Sequence, residues 1–442
     1  MFPDVTMPGV DVILPDNVWL KERGADIVGL IVTHGHEDHL GGVTHLLREF
    51  EVPLYGSELT MGLAQHKVKE ARLESRTSFR VLSDGDRIDI GPFDVEVLPI
   101  THSVPQSLCV VLHTDHGVIV HTGDFKLDSD PIDGRLTAME RLAEIQQETG
   151  VRLLMADSTN ADKPGWSPSE STIGETFKRL FPGWRGRRLI VSCFASHLHR
   201  VQQICDVAIN EGRTVFPLGR SMVNNVRIAK ELGVLDLPDR SVDSIDRLND
   251  YPPEDVCVIC TGSQGETNAA LSLLARGDHP DFSLTSSDVV LLSSHPIPGN
   301  ELPVYRVINR LTRIGCEVVH DGYEHVHTTG HAQREELDHL YQTLLPEWYV
   351  PIEGEHRMLR RNADVAIEAG HVPGRTVVAS DGDQLVLGSE GLKISGRIPA
   401  PYRYIDGLLD DLSPELLEDR RKLGEGGFVH VTVVLNLEDG LL

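Results

Sequence analysis

The stretch Thr33-His34-Gly35-His36-Glu37-Asp38-His39-Leu40 crowds four metal-competent side chains, His34, His36, Asp38 and His39, into one short segment. Neutral imidazole nitrogens and carboxylate oxygens are the usual donors to zinc or manganese, and a catalytic ion keeps a position open for water. One ion of this kind would not take so many donors from so short a loop, which points to two ions. The chemistry on offer is that of a metal-bound water held at the open position. A chance histidine cluster on a solvated loop is the plain alternative.

Such a site needs elements that hold the loops still. Ile27 to Val32 is a short β-branched run bounded by Gly24 and Gly35, which fits a strand buried on both faces. From Leu40 the apolar residues fall at Val43, Leu46, Leu47 and Phe50, the spacing of one helical face. His34 and His36 then occupy the turn at the strand's carboxyl end, and Asp38 and His39 open the helix. Two further loops end strands in the same way: Thr101-His102-Ser103 follows the alternation of Phe93, Val95 and Val97, and His121-Thr122-Gly123-Asp124 follows Val118 to Val120. Farther on, His327 and His331 flank Thr328-Thr329-Gly330, ahead of the amphipathic run Glu335 to Leu345. Taken alone, this pair reads as the start of a helix, His102 as a satisfied loop histidine and Asp124 as a turn residue. His45, His113, His116 and His121 are read as structural.

Strands with few helices fill the chain to about Asn160. After a polar break, Ser167-Pro168-Ser169-Glu170 reads as a capping box with proline in the first turn, so a helix is expected from Pro168. Strands then alternate with helices at Leu189 to Cys193, His197 to Asn210, Thr214 to Pro217, Val256 to Cys260, Val289 to Leu292 and Pro303 to Ile314, the pattern of a parallel sheet. A strand at Trp348 to Ile352, a helix from His356, strands at Thr376 to Ser380 and Gln384 to Leu387, and the apolar run Phe428 to Leu435 complete the reading.

At 442 residues the chain has room for two or three domains, and 40% apolar with 5% aromatic residues is ordinary for a soluble enzyme. No stretch approaches the roughly 18 apolar residues of a membrane span, and no charged-then-apolar leader follows Met1. A cytoplasmic protein that binds no membrane is expected. The six cysteines are scattered through apolar runs as buried thiols; Cys257 and Cys260 have the CxxC spacing, but they lie inside a strand with no second pair. The net charge of -26 argues against a general nucleic-acid-coating protein, though not against an enzyme with a local basic channel.

The His34 to His39 loop resembles the signature of the metallo-β-lactamase superfamily. Taken with Thr101 to Pro105, His121 to Lys126, Ala156 to Asn160, Thr261 to Glu266, Ser294 to Glu301 and His327 to His331, in that order, the chain resembles the RNase J branch of the β-CASP ribonucleases. The resemblance implies an αββα sandwich of the metallo-β-lactamase type with an inserted parallel-sheet β-CASP domain. Residues 1-165 would be the first part of the sandwich, 166-345 the insertion, 346-402 the return segment and 403-442 a carboxyl-terminal linker. It also implies that strands preceding Met1-Phe2-Pro3-Asp4 in relatives are absent here, as is a small terminal domain after Leu442.

For the site, the resemblance implies that His34, His36 and His102 hold one ion, Asp38 and His39 a second, and that Asp124 bridges them. Asp38 and His331 are the implied catalytic residues, His331 as the acid that protonates the leaving 3′-oxygen. Asp157 would orient a ligating histidine. His327, Thr328, Thr329, Gly330 and His331, with Arg220 and Ser221, would contact RNA phosphates. One position departs from the family: Pro351-Ile352-Glu353-Gly354-Glu355 carries a glutamate where RNase J enzymes have a ligating histidine. Glu353 as ligand would favour manganese or magnesium over zinc.

The expected function is a ribonuclease using two divalent ions, zinc or manganese, that leaves 5′-phosphates by 5′→3′ exonuclease action, with room for endonuclease action. Its partners would be RNA and either further copies of itself or a homologous ribonuclease. Two alternatives stay open: a catalytically impaired RNA-binding partner subunit, and another hydrolase of the same fold.

Overall fold

The alternating strand around Val95 and Val97 lies within a six-stranded sheet in the computed structural model, which describes residues 7–297, 299–407, 412–427 and 429. Phe93–Pro99 pairs antiparallel with Arg87–Ile90 on one side and Leu108–Thr114 on the other. Gly117–His121 adds antiparallel, then Val151–Asp157 and Trp348–Ile352 add in parallel. Successive side chains of a strand point to opposite faces, so each strand feeds two cores. Val95, Val97, Leu108 and Val110 pack with Ile31 and Tyr55 of a smaller sheet and with Leu82 just beyond it. Leu98, Val111, Val120 and Leu154 pack on the other face with Leu142, Leu337, Leu344 and Val365, from the helices Met139–Glu148, Arg334–Leu344 and His356–Glu368. The smaller sheet, Leu30–Ile31, Leu54–Gly56 and Phe79–Val81, is parallel and touches the helix Glu58–Glu70. The layers are those of the αββα sandwich.

A separate five-stranded sheet is parallel throughout, in the order Thr214–Leu218, Val256–Cys260, Leu189–Ser192, Val289–Leu292, Glu317–His320. Its inner strands are buried along their whole length, which is why they read as unbroken apolar runs. The helices Leu198–Asn210, Arg220–Glu231, Ala270–Arg276 and Glu301–Ile314 connect them. All six cysteines are free and buried, Cys257 and Cys260 both within the inner strand Val256–Cys260.

The sandwich and the parallel sheet belong to one compact unit, Arg23–Arg397; the other is Met1–Glu22 with Ile398–Leu442. In that smaller unit Val12–Pro15 pairs antiparallel with Tyr402–Ile405 over Val10, Ile13 and Leu412, and the helix Pro414–Gly426 is capped by Ser413.

Four expectations need correction or fall elsewhere. The strand expected over Ile27 to Val32 is only Leu30–Ile31, and it is not buried on both faces: Val28 is 37% exposed, and Val32 is the buried residue. Among the described residues this strand pairs on one side only, so no neighbour covers its other edge. The helix expected at Pro168 begins at Ser171: the Glu170 amide, which a capping box would turn to Ser167, donates to Asp128 Oδ2 (3.0 Å), and the Ser167 hydroxyl donates to Glu336 Oε1 (2.9 Å). Thr376 to Ser380 makes an isolated bridge to Tyr349 and no strand, whereas Gln384 to Leu387 lies within the hairpin of Asp383–Gly388 and Gly391–Arg397. The run Phe428 to Leu435 lies outside the described residues, save Val429.

Glu336, which takes the Ser167 hydroxyl, anchors the surrounding backbone as well. Fully buried, its carboxylate accepts from the backbone amides of Leu127 (2.8 Å), Ser167 (2.7 Å) and Gln333 (2.8 Å) as well as from the Ser167 hydroxyl. Removing it strands several buried donors, and each unsatisfied donor costs on the order of 1–3 kcal/mol. Glu336→Ala should therefore lower stability by roughly 3 kcal/mol or more in urea unfolding, and Glu336→Gln by clearly less. A loss below about 1 kcal/mol for the alanine variant would refute this account.

Candidate metal centre

The donor loops all leave the sandwich at strand ends, and backbone hydrogen bonds set them in register. The Thr101 carbonyl accepts from Lys126 N at 2.9 Å, which fixes the His102 loop against the Asp124 loop. The Thr33 carbonyl accepts from Leu108 N at 2.9 Å, and the Phe125 carbonyl accepts from Ala332 N at 2.6 Å. Loops separate in the chain thus meet in one place.

There, His34, His36, His102 and Asp124 form one set with a donor atom from each within 4.8 Å of the others, and Asp38, His39 and Asp124 form a second. His36 Nδ1 lies 3.2 Å from His34 Nε2 and 3.0 Å from His102 Nε2. The Asp124 Oδ2 atom lies 3.5 Å from His34 Nε2 and 3.2 Å from His39 Nε2, so this carboxylate stands between the sets. Asp38 sits on the helix Glu37–Leu40 with its side chain 61% exposed, 3.9 Å from His39 Nε2.

The ring orientations are fixed from outside. His102 Nδ1–H donates to the Gly330 carbonyl at 2.6 Å, leaving Nε2 with a free lone pair on the inner side. Thr33 Oγ1 bonds His34 Nδ1 at 3.0 Å, and Ser103 Oγ lies 3.2 Å from His36 Nε2. Burial drives the His34, His36 and His102 rings well below the ordinary imidazole range, His36 to about 3, so all three are neutral donors. Burial also opposes a charge on His39, yet the hydrogen bond and charge of Asp124 overcome it and hold that ring up at about 9. A proton there sits where a cation would serve the same carboxylate. Asp124 Oδ1 is buried with no hydrogen-bond partner, a costly condition that a bound cation would relieve. The donor set fits divalent ions.

His331 lies beside these sets, its ring 5.1 Å from that of His102. Its Nδ1–H donates to Asp157 Oδ2 at 2.7 Å, and Asp157 also accepts from the Thr159 amide and hydroxyl. Burial disfavours the charged ring, but the Asp157 carboxylate more than compensates and holds His331 up at about 9. Asp157 was expected to orient a ligating histidine; the ring it orients is His331.

Other candidates are placed differently. The Glu353 carboxyl joins neither set. It is surface-exposed as a residue, but its carboxyl is crowded by protein atoms and faces Asp124, Asp157 and Asp38, and the loss of water with those like charges pushes it up to about 7. Its backbone is left-handed (φ 52°), a conformation that costs a non-glycine residue about 1–3 kcal/mol and is often retained at functional sites. The Thr328 hydroxyl is spent on Pro168 O and that of Thr329 on Asn160 Nδ2 and His331 N. His327 Nδ1 is buried without a partner. Arg220 and Ser221 lie exposed on the first turn of Arg220–Glu231, and no hydrogen bond or ion pair among the described residues links them to the histidines. Sequence reasoning passed over Thr33, Ser103 and Asn160. The first two adjoin His34 and His102, which was the available signal.

Residues 8–163 match the family model described as "Metallo-beta-lactamase superfamily", and 186–311 match "Ribonuclease J, beta-CASP domain". Fold and donor set together define a metal-dependent hydrolase of the metallo-β-lactamase class with a β-CASP domain. Among curated proteins, the chain is 42% identical to "Ribonuclease J" of Mycolicibacterium smegmatis, over all of this chain and 78% of that one. It is 41% identical to "Ribonuclease J" of Mycobacterium tuberculosis H37Rv, with the same coverage, and 36% identical to that of Synechocystis sp. PCC 6803, over all of this chain and 69% of the relative. The chain belongs to the ribonuclease J family. A crystal structure of a protein of unknown function from Enterococcus faecalis V583 shares the fold at 17% identity, with TM-score 0.52 over 73% of this chain and 75% of that one.

Gly330 offers a test of how the site is held. A Cβ there would lie 2.8 Å from Ser103 Oγ and 2.9 Å from His102 Cε1, closer than real contacts allow. Gly330→Ala should displace the His102 ring and weaken metal binding roughly 10- to 100-fold by calorimetric titration, with the fold retained by circular dichroism. Unchanged affinity would show that the Gly330 approach does not set the ring.

Proposed function

We propose that this protein hydrolyses RNA phosphodiesters to leave 5′-phosphates, acting as a 5′→3′ exonuclease with endonucleolytic cleavage as a second mode. The observation that carries this reading is the convergence of His34, His36, His102, Asp38, His39 and Asp124, with its orphaned oxygen, beside the His331–Asp157 pair. In this reading His34, His36 and His102 hold one ion and Asp38 and His39 the other, with Asp124 shared and Glu353 completing the second. Bound there, divalent ions, zinc or manganese, would polarise the phosphoryl oxygens and lower the pKa of an attacking water.

The protein's own groups supply the rest. His331 keeps Nδ1–H on Asp157 and offers the proton at Nε2 to the departing 3′-oxygen as the bond from phosphorus breaks. The Asp157 charge keeps that ring protonated at neutral pH. His327, the backbone of Thr328 to Gly330, and Arg220 with Ser221 would meet the RNA phosphates; the threonine hydroxyls are already engaged in the fold. Arg220 makes no ion pair among the described residues, so its guanidinium is uncommitted. Assembly with further copies or a homologous ribonuclease belongs to the same proposal, as does residence in the cytoplasm. No helix among the described residues is long and apolar enough to cross a membrane.

Purified protein supplied with Mn²⁺ or Zn²⁺ should degrade 5′-monophosphorylated RNA in preference to matched DNA or a thioester, and His36→Ala should abolish turnover. Preference for the DNA or the thioester would point to another hydrolase of this fold. Absence of stoichiometric metal binding would favour the impaired partner subunit.

Asp157→Asn removes the charge that raises His331, so the ring should titrate nearer its ordinary value. The pH at which activity falls on the alkaline side should then move down from about 9, toward neutrality. An unmoved alkaline limb would exclude His331 as proton donor.

Glu353→Ala should weaken one of two metal sites in calorimetry and lower turnover. Glu353→His should shift the preference toward zinc. If the alanine variant kept both metal content and turnover, Glu353 would be no ligand.

A further inference from the structure

We propose that Arg200 is a positioning residue for His331, acting through the backbone of residues 326–331; this rests on the reading of His331 as the proton donor. Arg200, on the helix Leu198–Asn210, is the largest fully buried side chain among the described residues. One edge of its guanidinium meets Glu170, with Nε on Oε1 at 2.5 Å and Nη2 on Oε2 at 2.8 Å. The remaining nitrogen, Nη1, turns the other way. It donates to the Val326 carbonyl at 2.9 Å and to Ser293 Oγ at 2.6 Å, and Ser293 Oγ itself donates to the Val326 carbonyl at 2.7 Å. Ser293 directly follows Val289–Leu292, so the rigid end of the parallel sheet and the buried arginine grip the same carbonyl.

From that grip to His331 the chain is pinned at short intervals. Thr328 Oγ1 donates to Pro168 O, which Lys126 Nζ also reaches at 2.8 Å. Thr329 Oγ1 accepts from Asn160, Gly330 O accepts from His102, and His331 donates to Asp157. Val326 is the point at which this ladder is tied to the second sheet. Stability alone explains the arginine poorly, because a buried ion pair recovers little beyond its desolvation cost and apolar side chains of similar volume often serve as well. The forked geometry explains it better: a lysine could balance Glu170 but, as a single point of charge, could not hold both Glu170 oxygens and the Val326 carbonyl.

The test is a double-mutant cycle on the full-length, metal-loaded protein with a 5′-monophosphorylated RNA oligonucleotide. Arg200→Lys keeps the charge opposite Glu170, and Ser293→Ala removes the second donor to Val326 together with one acceptor of Arg200 Nη1. Arg200→Lys should lower kcat roughly 10- to 100-fold, as expected when an acid is displaced by about 1 Å, with KM and metal stoichiometry unchanged. Ser293→Ala should lower kcat in the same direction by less. In a His331→Ala background neither substitution should lower kcat further, because the group they position is gone. Unchanged kcat in Arg200→Lys, a loss that appears in KM or metal content instead, or losses that multiply with His331→Ala would each overturn the proposal. Wild-type turnover in His331→Ala alone would remove the reading of His331, and this proposal with it. Should Arg200→Lys fail to fold, Ser293→Ala decides within the same cycle.

Discussion

The structure depends on keeping several mutually unfavourable groups close together. Three neutral imidazoles and a carboxylate occupy a buried space where none can be fully satisfied by its neighbours, and Asp124 Oδ1 has no partner at all. Protein interiors tolerate such an arrangement only where the surroundings impose it. The imposition is visible in the backbone bonds that lock the loops ending at Thr101, Asp124 and His331 against one another, and in the carbonyl of Gly330 that turns the His102 ring. A site built this way has its donor atoms gathered and its rings oriented by the fold itself.

Around this centre the two sheets divide the work. The sandwich contributes every donor of both sets, while the parallel sheet contributes rigidity from a distance, through Ser293 and the helix that carries Arg200. His331 and Asp157 join the two influences. Asp157 ends a strand of the large sheet, and His331 follows a loop whose upstream end is tied to the parallel sheet.

Much of this was legible in the sequence, for identifiable reasons. His34, His36, Asp38 and His39 are neighbours in the chain, so a short loop brings them together whatever the tertiary fold. Val256 to Cys260 and Val289 to Leu292 read as strands because a sheet covered on both faces asks for uninterrupted apolar runs. The failures share one cause, a partner from far along the chain. Ser167 and Glu170 are the residues of a capping box, but Asp128, 42 positions away, takes the Glu170 amide and Arg200 takes its carboxylate. Leu30 and Ile31 look like a buried central strand, but their position at an edge is decided by Leu54 and Tyr55. Glu317–His320 escaped notice because it is a short, half-covered edge strand. That His102 points Nε2 inward depends on Gly330, 228 residues distant, which no local pattern could reveal.

That last separation also bears on how the molecule comes into being. Loop closure over more than two hundred residues is slow and entropically unfavourable, and contacts of this range form late. During synthesis the first four donors leave the ribosome long before the segment that orients their companion ring, so the nascent chain presents loose histidines and no finished centre. The orientation of the His102 ring is accordingly a late product of synthesis, set only once residue 330 has been made.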